Sequence, residues 1–237
     1  MSNIIDFHSH ILPGIDDGSA SVEESIAMLK MEAEQGITHV VATPHFYAQH
    51  DSPERFLRRR TAAEARLREA MAEYPELPTL SVGAEVYFFP GISDSDILKE
   101  LTIESKGCIL LEMPLSPWTE RMYREMEAIS AKQGLMPIIA HIDRYIGPFH
   151  THGIPQRLEQ LPVLVQANAS FFLRGMTKRM AFRMLRDDQI HLLGSDCHDL
   201  ANRSPNLGSV VTAIERQLGR VPLQRIEEIQ HSVLNGL

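Results

Sequence analysis

The chain has 237 residues, 43% of them hydrophobic and 23% charged, with a formal net charge of -8; this leaves room for a sizeable core and argues against nucleic-acid binding by bulk electrostatics. Two cysteines, Cys108 and Cys197, are too few for a disulfide framework. No apolar run approaches a membrane span and no leader pattern opens the chain, so a cytoplasmic protein without membrane insertion is expected.

Strand-length apolar runs alternate with longer amphipathic segments. The run NIIDF (3–7) leads into His8 and His10, with Asp16 and Asp17 close behind. Ser21 with Glu24 predicts a capped helix that Gly36 closes. THVVAT (38–43) leads to His45, and Ser52-Pro53 opens a second helix across ERFLRRRTAAEARLREAMAEY. TLSVGA (79–84) ends against Glu85, and CILLEM (108–113) carries Glu112. Gly134 ends a third helix; MPIIAH (136–141) then finishes on His141 and VLVQAN (163–168) on Asn168. IHLLGS (190–195) precedes Asp196 and His198.

Nearly all-apolar strands separated by helices indicate a parallel sheet covered on both faces. One domain over 1–237 is expected, an α/β chain closing as a distorted TIM-like barrel rather than an open sheet. In such a barrel the strand ends converge on one face. Residues 8 and 10 share a side of an extended chain, as do 196 and 198.

Taken singly, a His or Glu at a strand end is compatible with a hydrogen-bonded core residue. Jointly, His8, His10, His45, His141 and His198 with Asp17, Glu85, Glu112 and Asp196 would leave several buried charges unpaired, and metal binding removes that cost. Imidazole and carboxylate without thiolate point to Mn, Fe or Zn rather than a Cys-rich structural zinc site. Four carboxylates can be balanced by two or three divalent cations, leaving a mouth receptive to an anion.

The order H-x-H, Asp, His, Glu and closing D-x-H resembles the polymerase and histidinol phosphatase (PHP) superfamily. More narrowly, DFHSHILPGIDDGSASVEES, GAEVYF, LLEMP, AHIDRY and SDCHDLANRSPNLG resemble the CpsB/CapC/YwqE-type manganese-dependent tyrosine-protein phosphatases of capsule and exopolysaccharide synthesis. The resemblance implies a (β/α)7 barrel of the PHP type and a centre of three divalent ions, Mn foremost with Fe or Zn as alternatives. It implies that His8, His10, Glu85 and Asp196 hold one ion and that Glu85 bridges to a second, held also by Glu112 and His141. Asp17, His45 and His198 would hold the third, and Arg144 and Arg203 would seat the phosphate. The implied reaction is phosphotyrosine hydrolysis by a hydroxide bridging two ions, on the tail of a bacterial tyrosine kinase.

Residues 197–204 also satisfy the C-x5-R-S spacing of cysteine-based phosphatases, but the loop has no glycine and Asp196 and Asp199 flank the thiol. Cys108 and Cys197 are therefore expected as packing residues. Within the superfamily, a histidinol-phosphate phosphatase or a nuclease is the rival expectation; a noncatalytic metal-binding interaction domain is another. The basic run Arg58 to Arg60 is interleaved with Glu and reads as a solvated helix face. Asp199 is a weak candidate for a general acid, and Phe46 and Trp118 are candidates for stacking on a tyrosine ring or for packing. His39, His50, His150, His152, His191 and His231 have no defensible ligand spacing.

Overall fold

The capping signals operate as expected in the computed structural model, which describes residues 3–146 and 153–236. Helix α1 (Val22–Glu34) is capped by Ser21, whose side chain accepts from the Glu24 amide, and Gly36 leaves the helix at φ +80°. Helix α2 (Pro53–Met71) is capped by Ser52 with proline in its first turn. Gly134, left-handed at φ 67°, ends the helix Glu120–Gln133.

All seven strand runs form strands, and two are interrupted. The first is β1 (Asp6–Ser9). The second divides into β2 (His39–Ala42) and β3 (His45–Phe46), and the third into β4 (Thr79–Val82) and β5 (Glu85–Tyr87). Pro44 explains the first break, because it has no amide to continue the ladder. Gly83 marks the second: a Cβ there would lie 2.9 Å from Ile103. The remaining strands are β6 (Cys108–Glu112), β7 (Met136–Ile139), β8 (Leu164–Asn168) and β9 (Leu192–Gly194).

Every pairing between these strands is parallel, in the order β1-β2-β4 and β3-β5-β6-β7-β8-β9. The chain past β9 closes back onto β1: the Asp196 amide donates to the His8 carbonyl at 2.8 Å and the His10 amide to the Cys197 carbonyl at 2.9 Å. The result is the expected distorted (β/α)7 barrel, with β2/β3 and β4/β5 each acting as one stave.

Two features tune the seam. Asp6 to Ser9 of β1 runs beside Val40 to Ala42 of β2, so β1 carries one extra residue. This resets the alternation between Phe7, packed with Leu110, Ile138 and Leu192, and His8, which joins the polar mouth. Behind the seam, fully buried Asp6 accepts from the amides of His8 (3.1 Å) and Ser195 (2.9 Å) and from the Ser195 hydroxyl (2.5 Å). Burial pushes the carboxyls of both Asp6 and its α1 neighbour Glu32 upward, Glu32 well above its ordinary value, with the Asp6 carboxylate adding to the cost of charge on Glu32.

Candidate metal centre

Glu85 is the hub of the mouth. It is 1% exposed, and four imidazoles reach its carboxylate: His141 Nε2 at 2.8 Å, His45 Nδ1 at 2.9 Å, His8 Nε2 at 3.3 Å and His10 Nε2 at 3.4 Å. His8 and His10 present their Nε2 atoms 3.1 Å apart, and Asp196 Oδ1 lies 3.6 and 3.5 Å from them. Donors held at about 2.1 Å around one tetrahedral ion stand about 3.4 Å apart. The spacing of the His8, His10 and Glu85 donors is therefore close to that of a single coordination shell, with Asp196 beside the two imidazoles.

The other predicted residues gather on either side. Glu112 Oε1 lies 3.6 Å from His141 Nε2, which already touches Glu85. Asp17, whose side chain is 67% exposed at the rim, places Oδ1 3.5 Å from His45 Nε2 and 3.6 Å from His198 Nε2. All nine candidates thus meet at one mouth. The donor set is nitrogen and oxygen throughout, and His198 Nε2 is buried with no hydrogen-bond partner. Both observations fit divalent cations.

The arginines lie on the outer side of Asp196. Arg144 reaches Oδ2 at 2.6 Å and Arg203 reaches Oδ1 at 2.8 Å. They line a cavity of about 200 Å³ with Asn168, Arg174 and Ser195. Asp199 shapes the loop that delivers Arg203: its Oδ1 accepts from the amides of Ala201 and Asn202 at 2.6 Å and of Arg203 at 3.2 Å. The Ala201 amide bond leads the contacts that hold the Asp199 carboxyl below its ordinary value, so it is a poor acid.

Supporting residues brace these candidates, and of them Gln166 was not singled out from sequence. Asp16 accepts from His10 Nδ1 at 2.9 Å and also from the His45 amide at 3.0 Å, orienting two predicted ligands. Gln166 Oε1 lies 3.2 Å from His8 Nδ1 and accepts the His141 amide at 2.6 Å; its Nε2 donates to Asn168, which donates to Asp196 at 2.8 Å. Asn168 therefore braces Asp196. His141 (φ 32°) and Asp196 (φ 54°) both hold left-handed backbone without being glycine, local strain that the surrounding bonds sustain.

The stacking candidates are corrected. Phe46 is fully buried against Phe56, with ring centroids 5.0 Å apart, and Trp118 is buried against Tyr145 at 5.0 Å. The ring at the mouth is half-buried Tyr47, 5.2 Å from His45 and 5.5 Å from Tyr87. Alternation explains the exchange: in β3 the residue after His45 faces the core, and the one beyond faces the mouth again. Cys197 is fully buried, and burial with Asp6 and Glu32 nearby pushes its thiol well above its ordinary value. His39 bonds Ser81 at 2.8 Å, and His191 accepts the Val165 amide at 3.0 Å. His150 and His152 lie outside the described residues.

Protons balance the mouth when no ion is bound. Burial opposes charge on His141, yet Glu112 and Glu85 raise it to about 9. Burial and His10 push His198 down to about 4. Burial would raise Glu85, but His8, His10, His141 and His45 hold it well below its ordinary value. The folded value of His141 lies above its unfolded 6.5, so its stabilisation is full below that pH and is lost as pH rises through 9. Chelated protein should therefore show a thermal midpoint that falls between pH 7 and 9.5, measured by circular dichroism; a flat profile contradicts the charged His141.

A closed parallel barrel with imidazoles and carboxylates gathered at its strand ends has the architecture of the PHP class. Residues 4–231 match the family model for capsular polysaccharide synthesis, CpsB/CapC, and the chain belongs to that family. It is 27% identical over 227 residues to the tyrosine-protein phosphatase CpsB of Streptococcus pneumoniae, covering 91% of each chain. A putative tyrosine-protein phosphatase CapC of Staphylococcus aureus is 28% identical over 216 residues, 84% of this chain and 79% of that one. Among solved structures, one from a study of YwqE from Bacillus subtilis and CpsB from Streptococcus pneumoniae, described as unique metal-dependent tyrosine phosphatases, superposes with a TM-score of 0.84. That match has 21% identity and covers 99% of this chain and 96% of that one.

Proposed function

We propose that the chain is a metal-dependent protein-tyrosine phosphatase that hydrolyses phosphotyrosine on the tail of a bacterial tyrosine kinase governing capsule or exopolysaccharide synthesis, in the cytoplasm. The observation that carries this reading is Glu85, fully buried among four imidazoles, beside an Asp196 that aims two arginines into the same mouth. The related phosphatases named above add support.

His8, His10, Glu85 and Asp196 would hold one ion; Glu85, Glu112 and His141 a second; Asp17, His45 and His198 a third. Mn is the native metal in this reading, with Fe or Zn as alternatives. When bound, the ions neutralise phosphoryl charge and lower the pKa of water. Arg144 and Arg203, aimed by Asp196, present planar forks to the phosphoryl oxygens as charge redistributes. Asp16 orients His10, and the Tyr47 ring at the rim offers a face to an aryl group. A tyrosine phenolate, with a conjugate pKa of about 10, leaves without the strong acid assistance an alkyl alcohol needs. That difference matters because Asp199 is held ionised.

The test strips metal with a chelator, restores Mn, and compares a phosphotyrosine peptide with histidinol phosphate on one preparation. Metal-dependent turnover that favours the peptide is expected. Turnover that persists without metal would sink the reading, and preference for histidinol phosphate would reassign the substrate. The cysteine route has its own check. Cys197→Ser should keep activity within about threefold, since a fully buried thiol held protonated is no nucleophile. Near-complete loss with metal content unchanged would favour the cysteine.

A further inference from the structure

The arginines of this protein divide into two populations. Most of those of α2 are engaged in the fold: Arg59 pairs with Asp51 at 2.9 Å, Arg60 donates to the carbonyls of Gly83 (3.1 Å) and Glu100 (2.9 Å), and Arg66 donates to the Pro13 carbonyl at 2.9 Å. Those between β8 and β9, Arg174, Arg179, Arg183 and Arg186, have no ion pair among the described residues. From Gln160 to Arg186 the sequence contains no Asp or Glu, although the whole chain carries a net charge of -8. Within that stretch the helix Lys178–Arg186 buries Ala181, Phe182, Met184 and Leu185 against the barrel. Its outer face presents Arg179, Arg183 and Arg186, all exposed and without an ion pair among the described residues. The positions i, i+4 and i+7 make one continuous stripe.

The segment that carries this stripe begins at the mouth. Asn168 ends β8 beside Asp196, and the short helix Ala169–Leu173 leads to Arg174. Arg174 lines the same cavity as Arg144 and Arg203. Those two are tied to Asp196, whereas Arg174 has no acidic partner among the described residues. Leu173 (43% exposed) and Met176 (99% exposed) flank it with apolar surface. From Arg179 to Arg186 the helix rises about 10 Å, the reach of about three residues of extended chain.

We propose that Arg174 and the stripe Arg179, Arg183 and Arg186 dock an acidic polypeptide segment flanking the phosphotyrosine, so that the site selects phosphotyrosines in Asp- and Glu-rich surroundings. The inference rests on the phosphotyrosine reading for its catalytic consequence, while the binding of acidic peptide stands apart from it. Charge complementarity supplies the affinity: unpaired guanidinium groups beside an anion-seating cavity attract carboxylates at modest desolvation cost. Salt should weaken the docking, because the stripe is exposed.

The test uses the metal-loaded protein and the combined variant Arg179→Glu, Arg183→Glu, Arg186→Glu, with the corresponding triple Ala variant in case charge reversal disturbs the fold. Fluorescence anisotropy follows an unphosphorylated Asp- and Glu-rich peptide and its Asn- and Gln-rich counterpart. Kinetics follow phosphotyrosine peptides with the same two flanks, and p-nitrophenyl phosphate. Wild type should bind the acidic peptide preferentially and show a KM for the acidic phosphopeptide about tenfold lower than for the neutral one, a difference that vanishes in the variants. Their kcat and their turnover of p-nitrophenyl phosphate should stay unchanged.

Equal binding of acidic peptide by wild type and variants overturns the proposal. So does selective loss of binding to phosphatidylglycerol vesicles with peptide KM unaffected, which would assign the stripe to a membrane. Should no phosphopeptide turn over, the phosphatase reading falls, and the anisotropy comparison still decides whether the stripe binds acidic chains.

Discussion

Glu85→Gln is expected to lower kcat on an aryl phosphate by roughly a thousandfold and to strip metal from the protein. The amide matches the carboxylate in shape but removes the negative charge that four imidazoles share. It also turns an NH2 group toward nitrogens that should face a cation. In the proposed arrangement Glu85 is common to two ions, so its loss is felt at both. Steady-state kinetics with metal analysis by plasma spectrometry separates the outcomes. Low activity with low metal content fits a ligand at the hub. Full metal content with normal activity would remove Glu85 from the centre.

Gly194→Ala is the second large effect, and it acts through packing. A Cβ at this position in β9 would stand 2.6 Å from His8 Cβ, 2.8 Å from Gln166 Nε2 and 3.0 Å from the His8 backbone nitrogen. Two of those neighbours sit on β1, so the seam must open or His8 must move. Overpacking of this kind costs about 1–3 kcal/mol, visible as a lower thermal midpoint. The functional cost is larger: a shift of about 1 Å in a catalytic constellation can lower the rate on the order of a hundredfold. A variant with wild-type kcat and an unchanged midpoint would show that the seam gives way freely.

The barrel was legible because each stave is an apolar run ended by a polar residue, and helix caps such as Ser21, Ser52 and Gly134 mark the intervals. The candidate ligands were legible for the same reason: strand ends in a parallel barrel share one face. Less was visible where one residue acts on another across the sheet. The extra residue in β1 leaves no mark in DFHS, since it exists only relative to β2. Asp16 looks like a spare acid beside Asp17 until His10 Nδ1 is found against it. Gln166 lies inside an otherwise apolar run, VLVQAN, and that polar intrusion was the available signal. The basic stripe near Arg183 needed knowledge of which arginines already have partners, and sequence alone does not supply it.

Gln166 also settles a question of tautomers. Its Oε1 receives the His141 amide at 2.6 Å, and a backbone N–H can only donate, so that atom is fixed as the acceptor. His8 Nδ1, 3.2 Å from the same oxygen, must then carry a hydrogen. In the neutral ring this leaves the lone pair on Nε2, facing His10 and Glu85. One main-chain group following β7 thereby selects which nitrogen of a β1 side chain is free to act as a Lewis base.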